Sequence, residues 1–130
     1  MKYLTHYTQE AQTELFKRTG TFFAFGKEQF MNQVKPNTTY VELGNGMYCE
    51  KEHLDTLKSE LPKIQTEGIE RDLEENGVDA IIRRELFNHE CFIQMDYSEV
   101  VENLKAYGIT QEQVRLMYNH ILETEGDDLF

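Results

Sequence analysis

Apolar residues open the chain at helical spacing. Leu4, Ala11, Leu15 and Phe16 predict a helix over 8–18, which Thr19-Gly20 ends. The pattern then changes. Thr21-Phe22-Phe23-Ala24-Phe25 is apolar and aromatic without interruption, and it predicts a short buried strand rather than an exposed loop. Gly26 is placed to cap a short helix over 27–34, with Phe30, Met31 and Val34 on one face. After the turn at Pro36-Asn37-Thr38, residues 39–43 alternate with a period of two. Gly44-Asn45-Gly46 supplies the positive-φ positions of a tight hairpin, and Met47-Tyr48-Cys49 returns as its second strand. A hairpin alone is marginal in water, so 22–25 is the expected third strand.

From Glu50 onward the spacing is helical. Leu54, Leu57 and Leu61 share a face, and Pro62 is expected to stop that helix. Thr66 is then expected to cap a second segment carrying Ile69 and Leu73, which Asn76-Gly77 either ends or bends. Residues 79–91 continue with Ile81, Ile82, Leu86 and His89 inward, and 92–95 read as irregular. Asp96 with Glu99, and Thr110 with Gln113, have the spacing of capping boxes. The helices they start turn Val100, Val101, Leu104 and Tyr107, then Val114, Met117, Tyr118, Ile121 and Leu122, toward a core. Gly108 suits the left-handed position between them. The fold class that follows is α+β: one helix-rich domain over residues 1–130 with a small two- or three-stranded antiparallel sheet. The acidic end, 125–130, is expected to fray.

Charge changes the functional picture. The 130 residues carry 24 Asp and Glu against 13 Lys and Arg, for a net charge of −11. Residues 1–50 are neutral, so the whole excess lies in 51–130. Such a field repels nucleic acid and anionic lipid and favours a basic protein partner. Tyr107-Gly108-Ile109-Thr110 has the length of a helix-turn-helix joint. The following helix offers only Arg115 beside Glu112 and Glu123, so an αα-hairpin is the expected use. Lys2-Tyr3-Leu4-Thr5-His6 leads into no apolar signal region, and no window reaches the ~18 apolar residues of a spanning helix. Cys49 and Cys91 are isolated, as thiols in a reducing compartment are, and the expected location is cytoplasmic.

Candidate chemistry is sparse. Asn88-His89-Glu90-Cys91 gathers a base, a carboxylate and a thiol, but sequence neighbours on a helix point about 100° apart. Glu85 and His89, four apart, do share a face. His89 with Glu85 or Cys91 is therefore the candidate for a small enzyme. Glu50 and His53 have the Glu-x-x-His spacing of a di-metal site, but no second unit exists. Phosphate loops, nucleophile elbows and zinc motifs are missing from the sequence, so neither cofactor nor metal is expected. The segment 67–79 packs Glu67, Glu70, Asp72, Glu74, Glu75 and Asp79 around Arg71, and is the expected partner-binding face. Tyr3 and Tyr7, four apart on the first helix, are candidate interface anchors, with Phe130 at the chain end.

Four stretches, 21–30, 44–49, 84–90 and 107–110, resemble a family of small uncharacterised proteins of bacteriophages and mobile elements. The resemblance implies such an origin, and it implies neither an activity nor a catalytic residue. The sequence reads as a non-enzymatic accessory or regulatory protein that works through protein contacts.

Overall fold

A computed structural model describes residues 2–129. The elements run α1 (Leu4–Thr19), β1 (Phe22–Phe23), α2 (Lys27–Gln33), β2 (Tyr40–Gly44), β3 (Met47–Glu50), α3 (Leu54–Asn76), α4 (Val78–Asn88), α5 (Cys91–Gln94), α6 (Ser98–Leu104) and α7 (Gln111–Leu129). Single 3-10 turns, Lys51–His53 and Lys105–Tyr107, precede α3 and follow α6. The helix-rich α+β class and the antiparallel sheet are as the sequence pattern predicts. The chain divides into two compact units. One comprises residues 4–68, and the other residues 69–129 with Lys2 and Tyr3.

In the sheet unit, the strands lie in the order β1-β3-β2. Phe22 pairs with Tyr48 and Phe23 with Met47, while Val41 pairs with Cys49 across the hairpin. The period of two then sorts the faces. Phe22, Tyr40 and Tyr48 form one face, and Phe30 of α2 packs on it, its ring 4.8 Å from that of Tyr48. Val41, Met47 and Cys49 form the other, against Leu15 of α1 and Leu57 of α3. Asn45 (φ 55°) and Gly46 (φ 78°) are both left-handed, as a two-residue hairpin loop of the primed type requires. The outer edge of β1 does not face water unaided. Gln33 Nε2 donates to the Phe23 carbonyl (3.0 Å), and the Phe25 amide donates to Gln29 Oε1 (2.8 Å).

Three expectations fail in this unit. The aromatic stretch is a two-residue strand, and Phe25 is 77% exposed. The strand is short because its partner ends: the Ala24 amide already bonds the Gly46 carbonyl in the hairpin turn, and β3 offers nothing beyond it. Pro62 does not stop a helix: α3 runs unbroken through it from Leu54 to Asn76. Proline removes one amide donor and crowds the carbonyl four residues earlier, a cost of about 3 kcal/mol. The apolar stripe Leu54, Leu57, Leu61 and Ile64 continues past it into the core and outweighs that cost. Thr66 caps nothing, and its hydroxyl bonds back to the Pro62 carbonyl instead. At Gly68 the backbone of α3 comes so close to α1 that a Cβ would overlap the Thr8 methyl group.

The helical unit is built around Ile81, Ile82, Leu86, Val100, Leu104, Val114 and Ile121, all fully buried. Thr110 and Gln113 form the expected capping box, each side chain bonded to the other's amide. Gly108 (φ 74°) ends the α6 segment with the Ile109 amide reaching back to the Leu104 carbonyl, as a left-handed C-terminal cap does. Asp96 starts α6 by accepting from the Ser98 amide and hydroxyl, but Glu99 does not complete a box and turns to His89. The stretch expected to be irregular holds a helical turn, α5. Burial of Cys91 and Phe92 draws it into the core, where Phe92 stacks on Tyr118 at 4.9 Å. Helix α7 extends to Leu129, and Glu125 on it pairs with Arg83 at 2.5 Å.

Candidate functional site

Helix α4 positions the groups that carry chemistry in the helical unit. His89 ends it, with its amide on the Glu85 carbonyl. Its Nε2 lies 3.4 Å from Glu85 Oε2 and its Nδ1 3.5 Å from Glu99 Oε2. Both ring nitrogens thus face carboxylates, and the imidazole links α4 to α6. Cys91 is not part of this group. It is 1% exposed, inside the core cluster, and burial first, then the charges of Asp96 and Glu99, push its thiol above the usual range. A nucleophilic thiolate needs the opposite environment. The structure therefore joins His89 to Glu85, adds Glu99, and sets Cys91 aside. Among the described residues no three His, Cys, Asp or Glu side chains gather as metal ligands.

The strongest electrostatic feature is buried one turn earlier on α4. Arg84 Nη1 and Nη2 make paired contacts of 2.9 and 3.0 Å with the two Asp72 oxygens. Asp72 also accepts from Tyr107 Oη (2.6 Å) and Asn76 Nδ2 (2.8 Å). Arg84 reaches Glu85 and the Lys2 carbonyl as well, and its guanidinium lies over the Tyr3 ring at 5.6 Å. Burial pushes the Asp72 carboxyl up, but hydrogen bonds from Arg84, Tyr107 and Asn76 outweigh it and hold the group below the usual carboxylate range. The same environment raises the Tyr107 hydroxyl, through burial first and its hydrogen bond to Asp72 second. Each Asp72 oxygen accepts two hydrogen bonds, so the carboxylate is held as a structural pin. Sequence reading missed it, although a signal exists: Arg84 follows Ile81 by three and Asp72 follows Ile69 by three, so each charge stands on an apolar helical face.

The partner-binding candidates separate accordingly. Glu67, Glu70, Glu74 and Glu75 are exposed along α3. Asp72 is withdrawn from that face, fully buried by its pairing with Arg84. Tyr7 is withdrawn too, because α1 begins at Leu4 and turns Tyr7 into the interior. Tyr3 precedes the helix and is 40% exposed. Phe130 lies outside the described residues. Among the described residues the other exposed large apolar side chains are Phe23, Phe25, Met31 and Leu43 in the sheet unit, and Phe87, Ile93, Met95 and Leu116 in the helical one. Helical spacing does not mark Ile93 and Met95 as exposed, because a one-turn helix has no period to read.

Charge divides between the units. Residues 4–68 hold nine acidic and seven basic side chains, net −2, and the remainder holds fifteen against six, net −9. In the latter, Lys2, Arg83, Arg84, Lys105 and Arg115 each face a carboxylate. Among the described residues no helix is long and apolar enough to cross a membrane. No curated protein and no solved structure matches the chain. A family model does match, over residues 4–124, and the chain belongs to that family, the family of unknown function DUF7659.

Proposed function

We propose that this protein is a non-enzymatic, acidic accessory or regulatory factor that acts by binding a basic protein partner. The observation that carries the reading is the segregation of charge, net −9 in the helical unit against −2 in the sheet unit. Solubility alone asks for no such segregation, whereas steering a cationic partner to one region does. Glu67, Glu70, Glu74 and Glu75, exposed on α3, are the first contacts. The resemblance to small phage and mobile-element proteins supports an accessory role in such an element. Two buried, unbridged thiols suit a reducing compartment and support action in the cytoplasm.

The test is a pull-down from host lysate at low and high salt, with the wild-type chain and with Glu67→Gln, Glu70→Gln, Glu74→Gln and Glu75→Gln combined. A partner retained at low salt, lost at high salt and weakened by the four changes supports the reading. A partner indifferent to both reduces the acidic face to a solubility device.

The second reading, a small enzyme, rests on one contact, the Glu85–His89 pair. It is the weaker because the thiol beside that pair is sealed in the core.

A further inference from the structure

Helix α5 is a single turn held between two left-handed residues that are not glycine, Glu90 (φ 54°) and Met95 (φ 55°). The turn buries Cys91 and Phe92 and sends the other apolar residues outward: Ile93 is 71% exposed and Met95 81%. The Phe87 ring, 5.1 Å from that of Phe92, borders the same turn and is itself 40% exposed. Met95 also lines a hollow of about 400 Å³ with Tyr97 and Val101, and Asp96, Glu102, Ser98 and Gln111 supply its polar lining. Three large apolar side chains this exposed within residues 87–95 are uncommon on a surface with no partner.

We propose that the α5 turn and the adjoining hollow are a docking surface for a basic amphipathic helix of a protein partner. Charge selects the occupant. The unit carries net −9, and the charged residues that line the hollow, Asp96 and Glu102, are both acidic. A second copy of this chain would bring the same negative field against itself, and a lipid surface with anionic headgroups would be repelled. A cationic helix has the matching arrangement: its apolar stripe covers Ile93 and Met95 and fills the hollow, while its lysines meet Asp96 and Glu102. The pair of Glu102 with Lys105 is exposed at both ends and exchanges readily for an incoming cation. This inference rests on the proposed basic partner and names a surface for it distinct from the α3 carboxylates.

The test uses the full chain and a fluorescein-labelled peptide of about 14 residues, leucine and lysine in helical amphipathic register. Binding is followed by anisotropy at about 20 mM and 300 mM salt. Ile93→Ser with Met95→Gly should weaken the peptide by about tenfold or more and leave the far-UV spectrum unchanged. Met95→Gly alone, which also relieves the positive φ, should weaken it by a smaller factor and serves if the double variant melts early. A control peptide with serine for leucine should bind weakly to both proteins. Three results would overturn the proposal. One is no binding of the amphipathic peptide at low salt. Another is binding that the α5 variants leave intact and the four Glu→Gln changes on α3 abolish, which keeps the basic-partner reading and moves the surface. The third is sedimentation showing that α5 joins two copies of the chain.

Discussion

The two units reach stability by different routes. The helical unit has a broad aliphatic core, from Ile81 to Ile121, and pins it with the buried Arg84–Asp72 ion pair. The sheet unit buries far less, with Leu15, Cys49 and Leu57 at its centre, and relies on ring contacts among Phe22, Phe30, Tyr40 and Tyr48 and on close backbone approaches at glycine. The helical unit should therefore be sensitive to charge and the sheet unit to volume.

Arg84→Met tests the first half of that contrast most severely. It leaves the Asp72 carboxylate buried without its cation, and stability should fall by about 3–5 kcal/mol, read from thermal and urea unfolding. Adding Asp72→Asn should recover part of the loss, because the uncompensated charge is then gone. The same pair sets an acid limit. The folded carboxyl titrates below its unfolded value, so its contribution is fully present above the usual aspartate pKa and is lost as pH falls through the lowered one. Unfolding measured by circular dichroism from neutral pH downward should show that loss in the wild type and a weaker one in the double variant.

Volume is the test for the sheet unit. Gly68→Ala drives a methyl into Thr8 on α1, and about 1–3 kcal/mol should be lost. Gly68→Ala with Thr8→Ser, which removes the obstructing methyl, should restore most of it. A smaller effect, about 1–2 kcal/mol, is expected for Gly46→Val. There a β-branched residue meets φ 78° and a Cβ would stand 2.9 Å from the Ala24 carbonyl oxygen. Equal losses from Gly68→Ala and Arg84→Met would erase the contrast.

The same division decides what sequence reading captures. The Asn45-Gly46 turn, the Thr110–Gln113 box and the Gly108 terminus are settled within four or five residues, and the pattern shows them directly. Pro62 misleads because its cost is local while the stripe that overrides it is tertiary. Asp72 is misread as surface for a related reason: twelve residues and a helix break separate it from Arg84, and no local rule joins them. Glu85 and His89 are legible from their spacing of four. Glu99, which completes that group, carries a decoy signature as half of a capping box. The α5 surface is the least legible, since it is defined by what fails to be buried.

The glutamines on α2 also limit how copies of this chain can assemble. An antiparallel sheet grows when a free edge accepts another strand, and indefinite growth needs a free edge on both sides. Gln29 and Gln33 already occupy the outward Phe25 amide and Phe23 carbonyl of β1, which leaves β2 as the other edge. Two copies paired through β2 would each present only a blocked β1 to the outside. Edge-to-edge growth, which runs across the strands in the hydrogen-bonding direction, therefore terminates at a pair, and Gln29 and Gln33 act as chain terminators against fibre formation.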